Sequence, residues 1–439
     1  MIISLISRKK GKGLLMGRNI WYNVNSAPVA QRIECWSPEP KVARSNRARR
    51  SFFGHPKPQP LPFLPDGGRM KLENFELERL QSLYEHEVDC NLTESGLYPY
   101  TLRELLDGAE IEELLDMRLG YGQTNGTIGL RQAISRLYPG TTIDRVLVTN
   151  GTAEANLVAI WSLLEPGDEL VFMLPNYLQI WGLARSFGTE VKPFFLKEEL
   201  AWAPDLDELR RQVTPKTKMI AVCNPNNPTG AVLTSGAMDE IVRLAGEVGA
   251  WLYADEVYRG AELSGEETPS FFGRYEKTLV TGGLSKAYGL PGLRLGWLVG
   301  QVAAVEKAWS FRDYTSISSG IIGQKIATWV LQPARRRMVL DRGRQILEEN
   351  VRLLGDWVDA HRGIFSLVPP RASGIAYVRC HLAMSTREFS TRLRQEKSVF
   401  VQDGECFGLP GYIRVSIGVQ KDVLLKGLRL IDEALPGLC

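Results

Sequence analysis

The sequence predicts an α/β protein built on a mostly parallel sheet, because short apolar runs alternate with helical patterns along the middle of the chain. Five apolar runs, rich in β-branched and aromatic residues, are typical of buried strands: Arg145 to Val148, Glu169 to Met173, Met219 to Cys223, Trp251 to Ala254 and Thr278 to Val280. Amphipathic patterns such as Met238 to Val248 lie between these runs. Such alternation places parallel strands side by side and covers both faces of the sheet with helices.

The pattern changes after about Ser310, where it predicts a second, smaller α/β domain. A long charged helix is expected from Arg335 to His361. Strand candidates follow at Ala376 to Arg379 and at Tyr412 to Ile417. We therefore expect residues 116–310 to form a large domain.

Composition restricts the functions that the chain can have. The 439 residues are 44% hydrophobic and 23% charged, which is enough for a globular protein with a large core. No apolar run reaches 18 residues, so no membrane partner is expected. The six cysteines show no CxxC pair, which favours reduced thiols and a cytoplasmic location. The four histidines lack metal-ligand spacing, so neither a metal site nor a serine-hydrolase triad is expected.

The first 69 residues differ from the rest, with thirteen Lys and Arg against three acids. A transit peptide or a nucleic-acid-binding arm would fit this charge. The stretch from Ala27 to Arg49 instead resembles the peptide obtained when a bacterial tRNA gene is translated. We therefore expect residues 1–69 to be a non-native or disordered leader before a true start at Met70, and no nucleic-acid partner. Residues 70–115 and 311–439 are then expected to build the small domain.

The run from Gly282 to Arg294 carries the most chemistry. Lys286 lies in a turn of small residues, eight positions before Arg294. An amine condenses with a carbonyl only as the free base, which partial burial and a nearby cation favour. The glycines allow a ligand close to the backbone, and the planar fork of Arg294 suits a phosphate. The run therefore predicts a site for an aldehyde cofactor with a phosphate tail.

The other candidate residues also follow predicted strands, where ligands gather in parallel sheets. Asn150 to Ala155 joins a strand to a helix, whose free N–H groups favour an anion. Tyr177 offers a flat apolar face that would confine a cofactor ring. Asp255 places a carboxylate at a strand end, where it can keep a ring nitrogen protonated and make that ring an electron sink. Asn224 to Gly230 is a Pro-rich turn between two such strands.

These motifs, in this order from about Tyr121 to Arg414, resemble the signature of the class I/II aminotransferases, which are pyridoxal-phosphate enzymes of fold type I. The resemblance implies a large domain with a mostly parallel seven-stranded sheet, plus a smaller α/β domain. It also implies pyridoxal 5'-phosphate as the cofactor. The expected reaction moves an amino group from an L-amino acid to a 2-oxo acid.

The resemblance implies a role for each motif residue. Lys286 would form the Schiff base and move the proton, and Asp255 would hold the pyridine nitrogen. Asn227 and Tyr258 would donate to the phenolic oxygen of the cofactor, and Asn227 would also lie beside the substrate. Arg414 would grip the substrate carboxylate. The remaining cofactor-binding residues would be Gly151, Thr152, Ala153, Tyr177, Ser285 and Arg294.

Two further implications concern the phosphate. Tyr121 resembles the tyrosine that reaches the phosphate of the neighbouring subunit, so a homodimer with shared active sites is expected. The family usually has a serine three residues before the lysine, and this chain has Gly283. Loss of that hydroxyl would cost about 1.5–3 kcal/mol of cofactor affinity unless Thr281, Ser285 or water replaces it.

Two other functions stay open. Asn91 to Gly96 and Leu102 to Leu105 are similar to a subgroup that contains amino-acid cyclases of peptide-antibiotic pathways, of the capreomycidine-synthase kind. Such an enzyme would use the same cofactor and lysine for elimination and ring closure. A regulator with an aminotransferase-like effector domain is disfavoured, since residues 1–69 lack the amphipathic helices of a winged-helix module.

Overall fold

The computed structural model describes residues 72–438, so the predicted leader 1–69 and the start at Met70 lie outside the described residues. Within this range there are thirteen α-helices and fourteen strands. The strands are β1 (Cys90–Asn91), β2 (Val146–Thr149), β3 (Glu169–Leu174), β4 (Glu190–Lys197), β5 (Ala203–Pro204), β6 (Thr217–Cys223), β7 (Trp251–Asp255), β8 (Thr278–Gly283), β9 (Gly296–Val299), β10 (Phe365–Leu367), β11 (Ile375–Cys380), β12 (Val399–Phe400), β13 (Gln402–Asp403) and β14 (Tyr412–Ser416).

The helices alternate with these strands through the first two thirds of the described chain. They are α1 (Glu76–Tyr84), α2 (Leu102–Leu105), α3 (Gly108–Leu115), α4 (Ile128–Ser135), α5 (Thr152–Leu163), α6 (Gln179–Ser186), α7 (Leu206–Gln212), α8 (Ser235–Val248), α9 (Val302–Arg312), α10 (Ile321–Val330), α11 (Pro333–Ala360), α12 (Thr386–Lys397) and α13 (Lys421–Leu438).

The central sheet confirms the predicted fold class. Its strand order is β2-β9-β8-β7-β6-β3-β4-β5, and the five neighbours from β8 to β4 run parallel. Strand β9 is antiparallel to both β2 and β8. Seven strands form the expected mostly parallel sheet, and the two-residue strand β5 adds an eighth at one edge, antiparallel to β4.

Both faces of this sheet are buried, as the continuous apolar runs predict. In β6, Met219 and Ala221 pack on one side with α5 and α6, while Ile220 and Val222 pack into the larger core on the other side. This alternation follows from the two-residue period of a strand. The five predicted strands are present, with ends that differ by up to three residues.

Strands β4 and β9 were not predicted from the sequence. Strand β4 contains Pro193 and two lysines, and only two of its eight residues are buried, so its sequence does not resemble that of a buried central strand. Strand β9 has only four residues and directly follows the turn that contains Arg294. Their pairing with longer neighbours, and not their own sequence, stabilises them.

A second sheet follows in the C-terminal part of the chain. Its four strands, in the order β10-β11-β14-β13, are all antiparallel. The predicted long helix is α11, which begins at Pro333, a residue suited to a first helical turn. The strands of the large sheet fall inside 116–310 and those of the second sheet inside 311–439, whereas the domain boundaries themselves stay predictions. Strand β1 pairs with β12, which is consistent with a small-domain role for 70–115.

Two searches of the described residues gave negative results. No helix within 72–438 combines the length and the apolar character needed to cross a bilayer. No cluster of His, Cys, Asp and Glu in this part of the chain has the geometry of a metal site.

Candidate active site

A cavity of about 320 Å³ lies at the carboxyl ends of the parallel strands. Ten of the residues predicted from the sequence line it: Thr152, Ala153, Tyr177, Asn227, Asp255, Tyr258, Ser285, Lys286, Arg294 and Arg414. They come from six separate stretches of the chain. The carboxyl edge of the sheet brings these stretches together, as expected for a ligand site in an α/β fold.

One end of the cavity is suited to an anion. Gly151 caps α5 with a φ of 78°, and no side chain bonds the free N–H groups of the first turn. Arg294 donates to the hydroxyl of Ser285 at 3.5 Å and to the carbonyl of Pro291 at 3.2 Å. A Cβ atom on Gly151 would lie 2.7 Å from Nη2 of Arg294, so only glycine permits this approach. The absence of a side chain at Gly151 thus leaves room for the guanidinium of Arg294.

The space beside Gly283 is already filled. A Cβ atom at this position would lie 3.2 Å from the Thr152 methyl group and 3.1 Å from the Leu295 carbonyl oxygen. Of the predicted replacements for the missing serine, Ser285 lines the cavity, whereas the Thr281 hydroxyl is buried outside it. Ser285 is therefore the hydroxyl-bearing residue that contacts Arg294, and Thr152 also lines the cavity.

Asp255 provides a buried carboxylate at the end of β7. The residue is 8% exposed, and its Oδ1 accepts the N–H of Val257 at 3.1 Å. Burial raises the pKa of Asp255 to about 6, because an ion is poorly solvated there. A cationic group placed beside Asp255 would compensate for that lost solvation.

Two buried side chains at the centre of the cavity have unpaired polar atoms. Neither the hydroxyl of Tyr258 nor Nε of Arg414 has a partner within residues 72–438. The other nitrogens of Arg414 donate to Asn227 Oδ1 at 3.0 Å and to the Thr93 carbonyl at 2.6 Å. Buried polar groups are nearly always paired, so these two atoms indicate a ligand.

Lys286 contacts an acid that the sequence had not indicated as a site residue. Its Nζ lies 3.4 Å from Oε1 of Glu94, and the same oxygen accepts the N–H groups of Ser95 and Gly96 at 2.8 Å each. The charge of Lys286, together with these N–H groups, lowers the pKa of Glu94 to about 2. The stretch from Asn91 to Gly96 had been noted for its similarity to a subgroup of the family. That similarity did not indicate a contact between Glu94 and the lysine.

Sequence reasoning expected a helix after Met70 but gave it no part in the site, which helix α1 in fact lines. Its residues Leu77, Glu78 and Gln81, with Ser82 and the following Glu85, line the mouth of the cavity. The hydroxyl of Tyr177 donates to Oε1 of Glu78 at 2.8 Å. Residues three and four apart share a helix face, so the spacing from 78 to 85 was the signal for one common face.

Tyr121 does not join this cavity. Its side chain is 87% exposed, and it does not line the cavity within the single chain. The predicted contact is with the phosphate site of a neighbouring subunit, so it stays a prediction.

The residues present fit pyridoxal 5'-phosphate. The uncapped first turn of α5 and Arg294 can bind its phosphate, and Asp255 can pair with a protonated ring nitrogen. The unpartnered hydroxyl of Tyr258 can donate to an oxygen of the ring. Lys286 is the amine of the cavity that can bond the aldehyde.

Comparison with known proteins agrees with this fit. Residues 94–431 match the family "Aminotransferase class I and II". Capreomycidine synthase of Streptomyces vinaceus is 30% identical over 383 residues, which cover 86% of this chain and 95% of that protein. Aromatic-amino-acid aminotransferase 2 of Thermococcus litoralis is 28% identical over 340 residues, covering 74% of this chain and 86% of that protein.

A solved structure supports the same assignment. The crystal structure of a PLP-dependent aminotransferase from Streptococcus suis superimposes with a TM-score of 0.79 and 33% identity, and covers 84% of this chain and 99% of that one. The predicted family and cofactor are thereby confirmed. The chain belongs to the class I and II aminotransferase family, with pyridoxal 5'-phosphate as its cofactor.

Proposed function

We propose that this cavity transfers an amino group from an L-amino acid to a 2-oxo acid. The observation that carries the proposal is the meeting of three groups in one cavity: the amine of Lys286, the buried carboxylate of Asp255 and the buried guanidinium of Arg414. A module that only bound a phosphate and an aldehyde would not need the second or the third group.

The cofactor, when bound, withdraws electrons and so stabilises negative charge at the substrate Cα. Asp255 keeps the ring nitrogen protonated, which the lost solvation of its own carboxylate favours. Tyr258 and Asn227 would donate hydrogen bonds to the phenolic oxygen. The N–H groups of Thr152 and Ala153, with Ser285 and Arg294, would hold the phosphate.

Arg414 orients the substrate. Its two bonds to Asn227 and Thr93 fix the guanidinium plane, and the unpartnered Nε remains for a carboxylate oxygen. Because the residue is 1% exposed, water competes little for this contact. The α-carboxylate would then be fixed while Nζ of Lys286 acts as the base that takes the proton from Cα.

Glu94 positions Lys286 in this scheme. Its carboxylate is fixed by two backbone N–H groups and lies 3.4 Å from Nζ, so it stabilises the protonated lysine after proton removal.

Replacement of Lys286 by Ala tests the proposal. The variant should lose the absorbance of covalently attached cofactor, and transamination should fall by at least about 10⁴-fold, the upper range for a general acid-base group. Lys277→Ala is a matched control, since this lysine bonds the Gly249 carbonyl away from the cavity. Wild-type protein without that absorbance, or a Lys286→Ala variant that still transaminates, would contradict the proposed role.

Elimination with ring closure is the second candidate function. The observation in its favour is that capreomycidine synthase matches 86% of this chain, against 74% for the Thermococcus aminotransferase. The same lysine, carboxylate and arginine would serve both reactions. Release of a new 2-oxo acid supports transamination, whereas a cyclised or dehydrated amino acid without amino-group exchange supports the second candidate.

We also propose a cytoplasmic homodimer. Leu115, Leu119 and Tyr121 are 73%, 79% and 87% exposed, and such neighbouring apolar side chains favour burial in an interface. The cysteines Cys90, Cys223, Cys380 and Cys406 are free thiols, which suits a reducing compartment. Sedimentation at micromolar concentration should give twice the chain mass, and a Tyr121→Phe variant should bind cofactor more weakly.

A further inference from the structure

The carboxylates of the cavity have no role in the chemistry described above, apart from Asp255 and the contact of Glu94 with Lys286. Glu78, Glu85 and Glu94 all line it. Glu85 and Glu78 belong to the helix face at the mouth, and Glu94 lies deeper, against Lys286. Negative charge therefore extends from the mouth towards the amine.

Two of these acids, Glu94 and Glu78, are held in place. Oε1 of Glu94 accepts the N–H groups of Ser95 and Gly96, and within the described residues no donor bonds its Oε2. Glu78 accepts the hydroxyl of Tyr177 at 2.8 Å through its own Oε1. Each acid is thus fixed through one oxygen, and its other oxygen is available to a ligand.

The balance of charge in the loaded cavity points to a cation. Three cations line it, Lys286, Arg294 and Arg414, against the four acids Glu78, Glu85, Glu94 and Asp255. The cofactor phosphate and the substrate carboxylate would pair with Arg294 and Arg414, and the protonated ring would pair with Asp255. Lys286 is then the cation that remains for the three glutamates, so the cavity keeps an excess of negative charge. That excess favours a positively charged ligand.

A second observation shows that a ligand belongs in the same space. The hydroxyl of Tyr258 and Nε of Arg414 are buried, line the cavity and have no partner within residues 72–438. Arg414 anchors a carboxylate, and it bonds the carbonyl of Thr93, the residue before Glu94. An amino acid held by Arg414 would therefore lie in the part of the cavity that Glu94 lines.

We propose that the substrate is an amino acid with a cationic side chain, an amine or a guanidinium, which is received by Glu94 and Glu78. This inference rests on the proposed function, because it takes Arg414 as the carboxylate anchor. Glu85 adds charge at the mouth and attracts the cation during entry.

The first test compares pairs of amino acids that are similar in shape and differ in charge. Holoenzyme is mixed with L-arginine or L-citrulline, and with L-lysine or L-norleucine, and the change in cofactor absorbance is followed. We expect the cation of at least one pair to react with a kcat/KM at least about tenfold above its neutral partner, as for a charge-assisted hydrogen bond. Equal values within both pairs would overturn the inference.

The second test uses variants that keep the shape of the site. Glu94→Gln and Glu78→Gln should reduce the ratio of kcat/KM between cation and neutral partner by about tenfold each. Glutamine at 78 still accepts the Tyr177 hydroxyl. Glu76→Gln is the matched control, since this residue of the same helix bonds Arg387 and does not line the cavity. The ratio, and not the absolute rate, is decisive, because Glu94 also contacts Lys286.

The outcomes separate this inference from the proposed function. Turnover of neutral amino acids without a preference for cations would overturn the substrate class and leave transamination in place. A cation preference that is unchanged in both glutamine variants would overturn the assignment to Glu94 and Glu78. The absence of any amino acid response would contradict both proposals.

Discussion

The two sides of the cavity are built differently. The strand-end side consists of residues after strands of the sheet, among them Asp255, Lys286 and the first turn of α5, and Asp255 is 8% exposed. The helix side consists of the α1 face from Glu78 to Glu85, whose residues are partly or fully exposed at the mouth. The rigid, buried side supplies the chemistry, whereas the exposed side meets the variable part of a substrate.

The residues for the reaction and the residues for substrate specificity therefore lie on different elements, the strand ends and helix α1. A strand end is fixed by hydrogen bonds to both neighbours, so a carboxylate there keeps its position during the reaction. A short helix at the rim is held by fewer contacts, so its side chains can change with little effect on the sheet. Variants of the strand-end side should then affect all substrates alike, and variants of the helix side should affect some substrates only.

The largest effect in this comparison is expected from Asp255→Asn. The amide cannot hold a proton on the ring nitrogen, so kcat should fall by about 10³-fold, as for loss of a preorganised electrostatic group. The fall should be the same for every amino acid donor. Asp239→Asn, which affects an exposed ion pair with Arg274, is the control. A fall limited to particular donors would contradict the claim that the strand-end side affects all substrates alike.

Arg414→Lys should mainly weaken substrate binding. An ammonium cannot keep the bonds to Asn227 and Thr93 and also hold a carboxylate oxygen, so KM should rise by about 100-fold. Steady-state kinetics should show a much smaller change in kcat. Arg379→Lys is the matched control, from the neighbouring strand β11, where the side chain pairs with Glu198 at the surface. A loss confined to kcat would contradict a binding role.

Cofactor affinity should depend on pH through Asp255. Burial raises the pKa of this acid to about 6 in the cofactor-free protein, so the carboxylate is charged above that pH and neutral below it. The protonated ring needs the charged form, and affinity should fall about tenfold for each pH unit below 6. Titration of apoprotein with cofactor from pH 5 to 8 measures this. The phosphate itself titrates near pH 6, so Asp255→Asn serves as the reference and should show a shallower dependence.

The smallest effect is expected at Gly283. Serine at this position would crowd the Thr152 methyl group and the Leu295 carbonyl, at a cost of about 1 kcal/mol in the unfolding free energy of apoprotein. The double variant Gly283→Ser with Thr152→Ser removes the methyl group, but not the contact with the Leu295 carbonyl, and should recover part of that loss. Chemical denaturation of the three proteins measures it. Equal stability of the single variant and the wild type would show that the space is not filled.

Short continuous motifs made the strand-end side predictable. Lys286 with Arg294, and Asn227 within its Pro-rich turn, each lie in one stretch after a strand, and the edge of a parallel sheet collects such stretches. The resemblance to a family added Tyr258 and Arg414, and the structure places both in the cavity. Strands β4 and β9 escaped prediction, because pairing with neighbours decides whether such short or polar strands form.

The fold class, the family and the cofactor could thus be predicted from the amino-acid sequence. Hydrophobic periodicity, the spacing within motifs and residue type are local properties of the chain. The contact between Glu94 and Lys286 is visible only in the tertiary structure, since 192 positions separate the two residues. The same is true of helix α1 at the mouth of the cavity, and of Thr152 in the space beside Gly283. These contacts depend on how distant segments of the chain pack against each other, and a local sequence pattern does not specify that packing.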